Sequence, residues 1–153
     1  LAQVQFETVQ MGLSSALVSG RVAAVWGFSS NVEPILLKSK GYPVKLFMPS
    51  SEGLPEIDGY ILIATSELSP QVKAEFLKAL QEGVVYIRAH PDASWKLLVH
   101  AYPNAFAPTP QSERANHAVF LATIPLFAAS PAKMDVQKAA ALHKFMKKEG
   151  ILH

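Results

Sequence analysis

The chain has 153 residues, half of them hydrophobic, and 14 basic against 12 acidic side chains leave a formal charge of +2. This length suits one compact domain with a sizeable core, and so small a charge argues against nucleic acid as a partner. The absence of cysteine excludes thiol catalysis, disulfides and cysteine-bound metals. No apolar run reaches the roughly 18 residues of a membrane span, and the first residues do not read as a signal peptide.

The first 65 residues alternate predicted strands with predicted helices. Short apolar runs rich in β-branched residues are typical of buried parallel strands, and glycines at 20 and 41 are typical helix stops. The predicted strands include 22–28, 44–48 and 59–65, and the predicted helices are 11–18 and 32–39. Strands separated by helices indicate βαβ units, so we expect an α/β fold with a mixed, mainly parallel sheet.

The remainder of the chain is predicted to be helical. Ser69 is a predicted N-cap followed by Pro70 in the first turn, and Pro91 opens the next helix. The last helix is expected from Asp135 to a stop at Gly150. Apolar faces at helical spacing comprise Val72, Phe76, Leu80, Val84 and Ile87, and then Trp95, Leu98, Val99 and Tyr102. So small a sheet cannot cover these faces, so we expect association with a second copy through the late helices or with an N-terminal segment.

Three segments carry a resemblance to a known family. Residues 16–27 read ALVSGRVAAVWG, residues 53–58 read GLPEID, and residues 144–152 read KFMKKEGIL. In this order they resemble the C-terminal half of type II periplasmic solute-binding proteins of ABC importers, in the group for nitrate, sulfonates and thiamine-pyrimidine precursors such as hydroxymethylpyrimidine and formylaminopyrimidine. The resemblance implies a periplasmic-binding-protein-like second lobe over residues 1–65. Residues 66–153 would be C-terminal helices that pack on the first lobe, and the resemblance leads us to expect that these 153 residues do not include that N-terminal lobe.

This resemblance implies a function in transport. The protein would close its lobes, like a venus flytrap, around a small pyrimidine-like heterocycle and deliver it to an ABC permease and ATPase. It would be periplasmic or otherwise extracytoplasmic, lipid-anchored or soluble, with no cofactor and no catalytic activity. Two alternatives remain open. One is an enzyme of the same fold that synthesises the thiamine pyrimidine, although that group carries a cysteine-rich iron motif. The other is an isolated ligand-sensing domain.

The same resemblance implies candidate ligand contacts. In the thiamine-pyrimidine group a strand is followed by glycine, a small residue, an aromatic residue, any residue, asparagine, any residue and glutamate. Gly27, Asn31 and Glu33 match this pattern, while Ser29 occupies the aromatic position and Phe28 precedes it. A carboxylate accepts hydrogen bonds and an amide both donates and accepts, so Asn31 and Glu33 could read the amino edge of an aminopyrimidine.

Each candidate near this turn also has a structural explanation. Trp26 and Phe28 suit stacking on a flat ring, but packing within a buried strand is the ordinary alternative. Ser29 and Ser30 could donate hydroxyl hydrogen bonds or cap the next helix, and Ser30 with Glu33 fits a capping box. Glu52 and Asp58 are candidates for the cleft between lobes, with a solvated turn as the alternative that the sequence favours. Tyr60 is a candidate for the hinge of that cleft, where it could either pack or touch ligand.

Two other kinds of site find no support. The five histidines are scattered without ligand spacing on one helix, so no metal site is predicted. Asp92, Ser94 and His100 have the residue types of a catalytic triad, but no G-x-S-x-G nucleophile elbow accompanies them.

Overall fold

The computed structural model describes residues 4–10, 12–56, 60–128 and 135–152, and within them the regular structure is helical. Seven α-helices are separated by extended segments and two short 3₁₀ turns, Pro49–Glu52 and Ile124–Leu126. The helices are α1 Leu13–Val18, α2 Glu33–Ser39, α3 Pro70–Ala89, α4 Pro91–Ala101, α5 Pro103–Phe106, α6 Pro110–Thr123 and α7 Val136–Lys148.

The predicted helix boundaries are confirmed where a local signal marks them. The Ser69 hydroxyl accepts a hydrogen bond of 3.2 Å from the backbone N–H of Val72, with Pro70 as the first residue of α3. The Asp135 carboxylate caps α7 by accepting from two backbone N–H groups. Gly150, just beyond α7, has a φ of +69°, a conformation that favours glycine.

The expected α/β fold is wrong for the part of the chain that the structure describes, because no strand and no sheet occur there. The predicted strands 22–28 and 44–48 lie outside any regular element, and so do residues 60–65. Gly59, which would begin the third strand, lies outside the described residues. Among the described residues, no backbone hydrogen bond joins one of these three segments to another.

The physical reason is that a strand, unlike a helix, cannot satisfy its own backbone. Helical hydrogen bonds close within the segment, whereas strand hydrogen bonds need a neighbour at about 4.8 Å. Residues 60–65 show the consequence most clearly, since Tyr60 is 95% and Ile63 is 88% exposed. Apolar, β-rich composition therefore predicted strands without specifying the partner that each strand would need.

The best packed part of the molecule lies where α2, α4, α5 and α6 meet. Trp95 of α4 is buried and stacks on His117 of α6, with ring centroids 4.8 Å apart and planes inclined by 29°. Phe120 and Phe106 surround the same indole at centroid distances of 5.5 and 6.3 Å. Leu37 is buried on α2, which packs along α6. The aromatic cluster thus joins α6 to α4 and α5, and the same helix also packs along α2.

The surface of the chain is unusually large for its mass. A compact monomer of 16.6 kDa is expected to expose about 7600 Å². The accessible surface here is 12325 Å², and no large side chain among the described residues is less than 2% exposed. On the predicted apolar faces, Val84 and Trp95 are buried, whereas Phe76 remains 55% exposed. The described fold thus leaves much apolar surface without an intramolecular partner.

Candidate functional site

The candidate ligand residues lie in and beside a loop that joins residues 22–27, which form no regular element, to α2. We call residues 28–32 the groove loop. It begins after Gly27, whose φ of +107° is a backbone conformation that other residues rarely adopt. The backbone N–H of Val32 donates to the carbonyl of Ser29 at 3.0 Å, which closes a turn immediately before α2. The sequence therefore turns sharply between an apolar run and a helix.

Glu33 holds this turn from the first position of α2. Its Oε2 accepts a hydrogen bond of 2.7 Å from the backbone N–H of Ser29, in a partly buried position. In a capping box the glutamate stands at the third helical position and accepts from the N–H of the N-cap residue. Here Glu33 is the first helical residue, the N-cap residue is Val32, and no side chain caps the helix. The capping box weighed for Ser30 and Glu33 is therefore not formed, and Glu33 instead closes the turn through the backbone of Ser29.

Asn31 connects the groove loop to a distant helix. Its Nδ2 donates a hydrogen bond of 2.7 Å to Oγ1 of Thr123, 92 residues later in the chain. Oγ1 of Thr123 in turn donates to the backbone carbonyl of Val119 at 2.8 Å, within α6. Both bonds are partly buried. The groove loop is consequently fixed at Ser29 by Glu33 and at Asn31 by α6.

A groove of about 920 Å³ runs beside this loop. We define the groove by its lining residues, which are 17–18, 23–28, Ser30, Pro34 and 42–49. Its walls are apolar and aromatic, and several of the side chains are open to solvent. Trp26 is 75%, Phe47 is 63% and Tyr42 is 45% exposed. Apolar concave surfaces with a few polar groups are the usual setting for small ligands.

The electrostatics of the groove are simple. Lys45 is the one charged side chain among its lining residues, and its Nζ lies 4.8 Å from the centroid of the Phe47 ring. A cation over an aromatic face is attracted by the negative charge density of that face. No carboxylate lines the groove, since Glu33 is engaged in the turn at its edge. Such a surface suits a flat ring that is neutral or anionic.

The structure brings half of the predicted contacts to the groove. Trp26, Phe28 and Ser30 line it, whereas Ser29, Asn31 and Glu33 do not and instead form the hydrogen bonds that shape the loop. The prediction that these six residues contact ligand stays a prediction. Sequence reasoning missed the opposite wall, including Tyr42, Lys45 and Phe47. Those residues flank and occupy a predicted strand between two prolines, and aromatic residues in a predicted strand were the available signal.

The remaining cleft candidates are not brought to the groove. Glu52 lies on the first 3₁₀ turn and is exposed, and Tyr60 belongs to the exposed segment 60–65. Neither residue lines the groove. Asp58 lies outside the described residues.

No catalytic or metal-binding arrangement emerges from the described part of the chain. Ser94 is buried, and its hydroxyl donates a hydrogen bond of 2.8 Å to the backbone carbonyl of His90 at the start of α4. Groups of three or more histidine, cysteine or acidic side chains that could hold a metal ion are absent from the described ranges. Nε2 of His117 is buried without a hydrogen-bond partner, but it lies in the stack on Trp95, away from other ligating groups.

Comparison with known proteins places this chain in a family. Residues 1–94 match the family described as NMT1/THI5 like. The chain belongs to the NMT1/THI5-like family. This membership and the relatives below confirm the resemblance to the solute-binding group for thiamine-pyrimidine precursors.

Two curated proteins are similar to this chain. A protein of Haemophilus influenzae named for a role in thiamine biosynthesis is 29% identical over 150 residues, which cover 97% of this chain and 46% of the relative. A formylaminopyrimidine-binding protein of Halalkalibacterium halodurans is 34% identical over 100 residues, covering 63% of this chain and 30% of the relative. The chain thus spans less than half the length of either relative. No solved structure gives a significant match.

A helix that crosses a membrane must be both long and apolar. Within the described ranges, none of the helices combines the length and the apolar character that crossing a bilayer requires.

Proposed function

We propose that the chain is part of a solute-binding protein that captures a thiamine-pyrimidine precursor in the groove. The observation that carries this proposal is the aromatic lining of the groove, with Trp26 and Phe28 on one wall and Phe47 on the other, beside a loop held by hydrogen bonds. A pyrimidine is a flat ring that gains stacking energy on such surfaces. Membership of the family and similarity to a formylaminopyrimidine-binding protein support the same ligand class.

The transport role is the finer part of the proposal. The captured pyrimidine would be passed to an ABC permease and its ATPase on the outer side of the cytoplasmic membrane, by a soluble or lipid-anchored protein. In the whole protein, closure of two lobes would enclose the ligand, with residues 1–65 forming the second lobe and residues 66–153 returning to the first. Because closure buries the ligand only in the closed state, the ligand would shift the population toward that state.

The groove also favours particular pyrimidines. With Lys45 as the charged group on its lining, neutral hydroxymethylpyrimidine or formylaminopyrimidine can bind without repulsion. Thiamine contains the same kind of pyrimidine but adds a cationic thiazolium ring. Two like charges in one groove are unfavourable, so thiamine is expected to bind less tightly than either precursor.

Native mass spectrometry of the intact protein, purified without added ligand, is the direct test. We expect a retained small molecule that is released by denaturation and identified as a pyrimidine. Calorimetric titration with hydroxymethylpyrimidine, formylaminopyrimidine and thiamine then ranks the affinities. A bound compound of another class, together with no heat from any of the three, would refute the proposal.

An enzymatic role is the second candidate, because the relative from Haemophilus influenzae is named for biosynthesis. A cysteine-rich iron motif would have to lie outside this chain, which contains no cysteine. The two roles differ in stoichiometry. A binding protein holds one equivalent of pyrimidine, whereas an enzyme would release pyrimidine in amounts that grow with time.

A gene neighbourhood without a permease and an ATPase would instead favour an isolated sensing domain.

A further inference from the structure

One hydroxyl group of α6 is hydrogen-bonded to the groove loop. Asn31 and Thr123 are far apart in sequence, and their side chains meet in a partly buried hydrogen bond of 2.7 Å. Helix α6 also packs along α2, the helix that the groove loop leads into. The contact therefore joins the loop to the best packed part of the molecule.

The two hydrogen bonds of the Thr123 hydroxyl fix which group donates and which accepts at this contact. A threonine hydroxyl carries one proton, and that of Thr123 is given to the carbonyl of Val119 at 2.8 Å. Towards Asn31, Oγ1 can then act as an acceptor and no longer as a donor. Asn31 must present its NH₂ group to Thr123, so its carboxamide has one favourable orientation. Helix α6 thus selects both the position and the orientation of the Asn31 side chain.

We propose that Thr123 is a positioning residue for the groove. It acts through Asn31 to hold the groove loop so that Phe28 and Ser30, on the same loop, line the groove. This inference rests on the proposed function, because it assigns Thr123 a role in the binding of pyrimidine there. If the loop leaves the competent position, the apparent affinity falls by the fraction of time that it is displaced.

Three variants separate positioning from stability. Thr123→Val removes the hydroxyl and leaves the Asn31 amide without its acceptor, whereas Thr123→Ser keeps the hydroxyl. Thr109→Ala is the matched control, because the Thr109 hydroxyl caps the other end of α6 by accepting from Ser112 N–H at 3.1 Å. Its loss weakens the same helix without touching the groove loop.

The first readout is the dissociation constant for hydroxymethylpyrimidine, measured by calorimetry on folded protein. We expect Thr123→Val to weaken binding roughly two- to tenfold, the range that one net hydrogen bond supports. Thr123→Ser should restore binding to within about twofold of the wild type. Thr109→Ala should lower the melting temperature but leave the dissociation constant unchanged. Equal binding by Thr123→Val and the wild type, or equal weakening by Thr109→Ala, would overturn the inference.

The second readout needs no ligand. Hydrogen exchange of the backbone N–H groups of Ser29 and Val32 should accelerate in Thr123→Val and stay at the wild-type rate in Thr109→Ala. If the wild-type protein binds none of the pyrimidines, the proposed function fails, and unchanged exchange in Thr123→Val would overturn the positioning role on its own.

Discussion

Trp26 and Trp95, the two tryptophans of the chain, occupy opposite environments. Trp26 lines the groove and is 75% exposed, whereas Trp95 is 7% exposed between α4 and α6. Only the first can therefore contact a ligand in the groove, which makes the intrinsic fluorescence of the protein specific for binding there.

Pyrimidine binding should change the fluorescence of Trp26 and not that of Trp95. In Trp26→Phe we expect this change to disappear while calorimetry still detects binding, because phenylalanine keeps an aromatic face. Trp26→Ala should weaken binding by about 1–3 kcal/mol, the range for stacking of one base on an aromatic side chain. A fluorescence change that persists in Trp26→Phe would show that the ligand binds elsewhere.

Glu33 offers a second test, because its carboxylate already serves the turn through Ser29. We expect Glu33→Gln to lower the free energy of unfolding by about 1 kcal/mol, since a charge-assisted hydrogen bond becomes a neutral one. A carboxylate has two oxygens, so the same residue can also accept from the ligand's amino group. If it does, Glu33→Gln also weakens pyrimidine binding, by about 1.5–3 kcal/mol. Reduced stability with unchanged affinity would limit Glu33 to the turn.

The exposed apolar face of α3 predicts association. Phe76 and Val72 are 55% and 48% exposed on this face, and burial of one such side chain stabilises by about 1.5–3 kcal/mol. We expect the 153-residue chain to sediment as more than a monomer or to bind hydrophobic dyes, and Phe76→Asp to reduce both effects.

Ala74→Asp is the control for this experiment. It adds the same charge to an exposed position two residues away, on roughly the opposite side of α3. A soluble monomer that binds no dye would show that these faces need no partner. If Ala74→Asp weakened association as much as Phe76→Asp, the added charge and not the loss of the apolar face would explain the effect.

Removal of metal ions is expected to have no effect. Dialysis against a chelator should change neither the helical circular dichroism signal nor pyrimidine affinity, because the histidines lack ligand spacing and the described residues contain no metal-binding cluster. A tightly bound transition metal found by elemental analysis would contradict this prediction and would reopen the enzymatic role.

Some residues of the candidate site could be predicted from local sequence patterns, whereas others are brought to it by contacts between distant parts of the chain. Trp26, Phe28 and Ser30 could be predicted because they lie at the end of an apolar run or just beyond it, immediately before a helix. The bond between Asn31 and Thr123 could not, because 92 residues separate them and no local pattern relates the two. The opposite wall of the groove could not be predicted either. Phe47 lines the groove only because residues 42–49 lie across it from residues 23–28.

The sequence by itself determined where helices begin and end. Ser69, Asp135 and Gly150 act within a few residues of their own position, so their effects do not depend on the rest of the fold. The tertiary structure decided whether the apolar runs became strands. Residues 22–28, 44–48 and 60–65 have the composition of strands, but strand hydrogen bonds require a second segment alongside. The described chain provides none between them, because pairing depends on neighbours that no local pattern specifies.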